Sequence, residues 1–132
     1  MACKSCSPED VVIERILDLL VASFDVVVVD TPPSFDPTVL ATFDRTDFLV
    51  LLTTMDVPAI KNLKIAIETL EMINFPAEKA RVVVNRSDAR VGLNIADVEK
   101  SIQMGVSAKV PSSRDVPATT NRGVPIVTDS PK

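Results

Sequence analysis

Polar side chains that could do chemistry follow four apolar runs in this chain. Asp30 follows Phe24-Asp25-Val26-Val27-Val28-Val29, and Thr53, Thr54 and Asp56 follow Phe48-Leu49-Val50-Leu51-Leu52. Asn85 and Arg86 follow Arg81-Val82-Val83-Val84, and Ser112 and Ser113 come after Val106 to Val110 and Pro111. A carboxylate brings charge and oxygen donors, which a hard cation prefers. A side-chain amide offers a donor and an acceptor together. In open α/β sheets ligands collect at the carboxyl ends of the strands, so four polar strand ends predict one shared ligand edge. Each alone is also ordinary turn chemistry. On that reading Asp30 caps a turn, Asn85 ends a strand, the Thr53-Thr54 pair is structural, and Lys61 and Lys64 belong to a solvated helix face.

The elements that must position these residues are legible from pattern. Ser7-Pro8-Glu9-Asp10 is a helix start, with a capping hydroxyl, a proline at the first helical position and acids at the positive end of the dipole. An apolar stripe of Val12, Ile13, Ile16, Leu17 and Leu20 carries that helix to about Ala22. The four valines predict a strand buried on both faces in the middle of a parallel sheet. Two prolines, Pro32 and Pro33, end it. Asp36-Pro37 opens a short helix through Val39, Leu40 and Phe43. Phe48 to Leu52 is a second buried strand. Pro58 opens the longest helix, to about Asn74, with Ile60, Leu63, Ile67, Leu70 and Ile73 on its apolar face. Arg81 to Val84 is a third strand. A polar loop from Asp88 to Gly92 then leads to a helix around Ala96–Met104, capped by Asn94 and closed by Gly105. Val106 to Val110 is a fourth strand, and a last helix covers about Asp115 to Asn121, with Gly123 as its terminator. This alternation of strand and helix predicts a parallel α/β sheet.

Composition narrows the function. At 132 residues the chain is long enough for one domain with a real core, and 46% of it is hydrophobic. No apolar run is long enough to span a bilayer, and the first residues lack the apolar segment of a signal peptide. These features predict a cytoplasmic protein. A net charge of −4 argues against a broad nucleic-acid surface. The chain has no histidine, tyrosine or tryptophan, which excludes histidine-based catalysis and His-ligated zinc. Cys3 and Cys6 form a C-x-x-C pair at the N-terminus, without the βαβ setting of a redox pair or the second half of a zinc site. A frayed terminus is the simpler reading. Residues 1–7 are expected to be disordered, 8–127 to form the domain, and 128–132 to be a flexible tail.

Four motifs in this order and spacing resemble the C-terminal half of the MinD/ParA family of P-loop ATPases, in the branch of the pilus-assembly CpaE/TadZ and septum-site-determining proteins. They are Phe24 to Pro33, Thr53-Thr54-Met55-Asp56-Val57-Pro58-Ala59-Ile60-Lys61-Asn62, Val83-Val84-Asn85-Arg86, and Val110 to Val116 continuing through Asn121-Arg122-Gly123-Val124-Pro125. The resemblance covers about Val11 to Pro125. It implies part of a three-layer, P-loop NTPase-like parallel sheet, about four to five strands with helices on both faces. It implies that Asp30 is the Walker B acid of the Mg²⁺ shell, and that Thr31 to Phe35, with Thr31 and Pro33, sense the γ-phosphate. Asn85, with Arg86 beside it, matches the amide that reads adenine. Pro111 to Ser113 match the loop against the base, where many relatives carry Asp in place of Ser113. For the complete protein the resemblance implies ATP and Mg²⁺ as cofactors, a homodimer, and pilus or division machinery as partner. It also implies a place in the cytoplasm, at a pole or septum. No nucleic-acid partner is expected. A direct membrane anchor is not expected either, because Val127 to Lys132 is short and has no apolar face.

The phosphate cradle of such enzymes, G-x-x-x-x-G-K-S/T, is absent. The only glycines are Gly92, Gly105 and Gly123, and none precedes a lysine. This chain alone is therefore expected to bind ATP weakly or not at all and not to hydrolyse it. Two other readings fit the residues. One is a non-hydrolysing ATPase-like scaffold for protein–protein contacts. The other is a receiver-like phosphoacceptor domain using Asp30, Thr53 or Thr54, and Lys109. The receiver reading lacks its upstream acidic pair and gives Asn85 no role.

Overall fold

A computed structural model of the chain describes residues 8–89 and 92–129. Cys3, Cys6 and the Ser7 cap lie outside the described residues, as does the end of the tail. The chain divides into two compact units, one through Leu49 and one from Val50.

The first unit holds two helices, α1 (Pro8–Ser23) and α2 (Pro37–Phe43). Both begin at a proline, Pro8 and Pro37. Asp36 caps α2 by accepting from the Val39 N–H at 2.9 Å, with Pro37 at the first helical position. Leu17 of α1 and Val39 and Phe43 of α2 are buried, and Phe35 meets Phe43 edge to face with 6.2 Å between ring centroids. Beyond α2, Arg45 donates to Asp18 of α1 at 2.7 Å and lies 3.5 Å from Glu14.

The segment between these helices differs from the sequence expectation. Residues 24–36 contain no helix or strand, and three of the four valines are open, with Val26 78% and Val28 89% exposed, while Val27 is half-buried. Valine favours β structure, but a strand exists only where a neighbour takes its N–H and C=O groups. No described strand pairs with this run. The expected apolar stripe of α1 is likewise only partly used, since Val12 and Ile16 are exposed while Leu17 is buried.

The second unit is a parallel sheet of three strands, order β1-β2-β3, with helices. Its elements are β1 (Leu49–Thr53), α3 (Val57–Met72), a short 3₁₀ turn (Ala77–Lys79), β2 (Ala80–Asn85), α4 (Ile95–Ile102), β3 (Val106–Val110), α5 (Asp115–Asn121) and α6 (Ile126–Asp129). Helical crossovers through α3 and α4 let successive strands run parallel. β2 and β3 pair from Val82↔Val106 to Asn85↔Val110, with an irregularity between Val82 and Val83. Val82 and Val84 are fully buried. Val82 joins Ile60, Leu63 and Ile67 of α3 and Val98 and Ile102 of α4 in one cluster, with Leu51 and Val106 packed against it. β1 alternates, so its Val50 and Leu52 point out of that core and are exposed.

Helix ends follow local chemistry. Asp56 caps α3 through the Ala59 N–H, and Asn94 and Asp97 form a reciprocal capping box on α4. Of the stripe expected on α3, Ile60, Leu63, Ile67 and Leu70 are buried while Ile73 lies beyond the helix and is exposed. Helix α4 closes at Gln103, which takes the left-handed conformation (φ 56°), two residues before the expected Gly105. The Gly123 terminator is as expected, at φ 69°.

Candidate functional site

Asn85, Arg86, Pro111 and Ser113 are brought to one end of the second unit's sheet. Asn85 and Val110 are partners at the last step of the β2–β3 ladder. There β2 turns sharply. The Asn85 Oδ1 accepts from the Arg86 N–H at 3.0 Å, and Arg86 takes a left-handed backbone with φ 52°. That conformation is costly for a residue with a Cβ, and the Asn85 side chain helps hold it. The Ser87 N–H then donates back to the Val110 carbonyl at 3.0 Å.

Past the ladder, a side chain takes over from the backbone. The Asp88 Oδ1 accepts from the Ser112 N–H at 2.6 Å. The Ser112 N–H, with the Ser112 hydroxyl second, holds the Asp88 carboxyl below the usual carboxylate range, because both donors favour its charged form. Ser113 turns the other way, its Oγ accepting from the Asp115 N–H at 3.1 Å where α5 begins. The loops after β2 and β3 are thus stitched together at two points, with Asn85 on one side and Pro111 to Ser113 on the other. Sequence reasoning placed Asp88 only as the start of a polar loop. The available signal was an acid three residues past a strand end, facing two serines past the next.

The remaining strand-end residues have structural partners. Thr53 is buried, the Thr54 hydroxyl donates to Asp56, and Asp56 caps α3. The Thr54 hydroxyl first, and the Ala59 N–H second, hold the Asp56 carboxyl below the usual range. A shallow cleft of about 350 Å³ between α3 and α4 is lined by Ile60, Lys61, Lys64, Leu93 and Asp97 and contains none of the predicted site residues.

Asp30, Thr31 and Pro33 belong to the first unit and are exposed. The loop that follows Asp30 is shaped by its own bonds. The Ser34 N–H donates to the Pro32 carbonyl at 2.8 Å, a three-residue turn, and the Ser34 hydroxyl donates to Asp36 at 2.8 Å. Among the described residues no three acidic or cysteine side chains cluster as metal ligands. A lone carboxylate does not fit a site that holds free Mg²⁺ by protein ligands alone. It does fit an ion held mainly by nucleotide phosphates, where one or two carboxylates suffice.

No protein-family model matches the chain. In sequence the chain is 26% identical over 125 residues to the septum site-determining protein MinD of Thermotoga maritima, covering 91% of this chain and 45% of that protein. In structure it superposes on a ParA family ATPase from Chlorobium tepidum with a TM-score of 0.82 at 21% identity, covering 97% of this chain and 56% of that one. The chain is thus similar to MinD in sequence and to ParA-type ATPases in fold. MinD of Aquifex aeolicus gives a TM-score of 0.76 at 21% identity over 91% of this chain and 53% of that one. The chain therefore has part of the P-loop NTPase-like fold of these proteins and spans about half the length of the relatives it matches. Among the described residues no helix is long and apolar enough to cross a membrane.

Proposed function

We propose that this chain carries the adenine-side and Walker B elements of an ATP-dependent positioning ATPase, one that places pilus or division machinery at a pole or septum. The observation that carries this reading is the stitched pair of loops in a MinD/ParA-type sheet, which sets Asn85 against Pro111 to Ser113. In this reading Asn85, flanked by Arg86, reads the base edge through its amide, and Pro111 and Ser113 form the opposite wall. Asp30 supplies the carboxylate toward a phosphate-bound Mg²⁺, with Thr31 and Pro33 in the loop that responds to the γ-phosphate. ATP and Mg²⁺ are then cofactors of the complete, homodimeric protein, which acts in the cytoplasm. Bound Mg²⁺ supplies neutralisation of phosphate charge; the chain's own residues orient the base.

Most of the affinity for a triphosphate, and nearly all the stabilisation of charge in its transfer, come from a glycine-rich cradle with its lysine. The chain has no such motif. Purified protein is expected to show no magnesium-dependent ATP turnover and only weak adenine-nucleotide binding, with NMR shifts that include Asn85 and residues 111–113. Clear turnover by this chain alone, or shifts that avoid Asn85, overturns the reading.

One observation favours the scaffold alternative. The Asn85 Oδ1, the acceptor that base recognition would use, is engaged by the Arg86 N–H. Absence of any nucleotide response at Asn85 supports that alternative.

A further inference from the structure

We infer that Asp88 is a positioning residue that sets the width of the adenine slot by anchoring Pro111–Ser113 to the tip of β2. The inference rests on the adenine-side reading above and adds a residue and a role to it. The β2–β3 ladder ends at Asn85↔Val110, and one more backbone bond, from Ser87 to Val110, follows it. Arg86, left-handed at φ 52°, swings β2 off the sheet direction. From that point no backbone carbonyl of β2 continues the ladder to meet the Ser112 N–H, which donates to the Asp88 carboxylate at 2.6 Å instead. The contact joins residues 24 positions apart, so beyond the Ser87–Val110 bond it adds a second, side-chain tie between the two loops. Among the described residues, the side chains of Asn85 and Ser113 bond only to near neighbours, Arg86 and Asp115. Asp88 is therefore the side chain that ties one wall of the slot to the other. Its carboxylate is well suited to this, since a charged acceptor makes a shorter and stronger bond to an N–H than a neutral one.

The test uses ¹⁵N-labelled protein and two probes, adenosine monophosphate and ribose 5-phosphate. Hydrogen exchange at the Ser112 amide and the shift of the Asn85 side-chain amide are followed in the wild type, Asp88→Ala and Asp88→Asn. In Asp88→Ala we expect Ser112 to exchange about tenfold faster and adenosine monophosphate to bind about tenfold more weakly, the loss typical of one charge-assisted bond. Ribose 5-phosphate binding should not change. Asp88→Asn keeps an acceptor oxygen and should recover much of both effects. Unchanged α4 amide shifts show that the variants are folded. If Asp88→Ala leaves Ser112 exchange unchanged, or binds adenosine monophosphate as well as the wild type, the positioning role is overturned while the adenine reading stands. If Ser112 exchange accelerates but the wild type never responds to adenosine monophosphate at Asn85, the adenine reading fails and the slot-setting role fails with it.

Discussion

Truncating Val82 and Val28 to alanine deletes the same two methyl groups from two β-favouring runs with opposite surroundings. Val82 is 0% exposed, within the cluster of Ile60, Leu63, Ile67, Val98 and Ile102, whereas Val28 is 89% exposed. Each buried methyl contributes about 0.8 kcal/mol of transfer free energy, so Val82→Ala loses about 1.6 kcal/mol on that account. The cavity left between β2 and its helices brings the expected loss to about 2–3 kcal/mol. Val28→Ala vacates no packed space and should fall within about 0.5 kcal/mol of the wild type. Urea unfolding followed by far-ultraviolet circular dichroism is the assay, because the chain has no tryptophan or tyrosine to report by fluorescence. A loss of about 2 kcal/mol in Val28→Ala would show that the valine run is packed in solution, and the account of an unpaired segment would fail. A loss below about 0.5 kcal/mol in Val82→Ala would equally refute the placement of the core on β2.

Other outcomes follow from the helix ends and the carboxylates. Asn94→Ala removes one half of the capping box on α4 and should cost about 1 kcal/mol in the same unfolding assay. Gln103→Gly relieves a left-handed backbone at the end of α4 and should stabilise the protein by about 1 kcal/mol; a loss of stability would show that the Gln103 side chain has a role of its own. Four carboxyls are held below their ordinary range: Asp18 by Arg45, Asp36 by the Val39 N–H and then the Ser34 hydroxyl, Asp56 by the Thr54 hydroxyl, and Asp88 by the Ser112 N–H. A folded pKa below the unfolded value means that these bonds contribute fully above about pH 5, and that their contribution is lost as the pH falls through about 4 and below. The urea midpoint should therefore be flat from about pH 7 to 5 and fall under about pH 4; a protein as stable at pH 3 as at pH 7 would contradict this.

Much of the fold was legible because its punctuation is local. Asp36-Pro37, Pro58 and Asn94 mark helix starts by chemistry that needs only a few neighbouring residues, and the structure places α2, α3 and α4 at those marks. The runs beginning at Leu49, Ala80 and Val106 became strands because each found another alongside. The valine run has the same propensity without a neighbour among the described residues, and propensity cannot supply one. The end of α4 was misplaced because Gln103, a residue with no special claim to a left-handed conformation, adopts it ahead of the glycine. In the candidate site, Asn85 and Ser113 were visible as polar strand ends. The Asp88–Ser112 contact was not, since its two residues are 24 positions apart and their meeting depends on β2–β3 register. The Arg45–Asp18 pair, 27 positions apart, was hidden for the same reason.

The open valines of the first unit carry a hazard of their own. A short β-branched run without proline or glycine is the kind of segment that stacks on copies of itself into fibrils. Val26 to Val29 is such a run, and the chain closes it with an acid at each end, Asp25 and Asp30. Charges in those places act as gatekeepers, because stacking identical strands would align like charges one above another. Asp30 can thus serve solubility as well as any ligand, and a variant that neutralises it removes a safeguard along with whatever chemistry it tests.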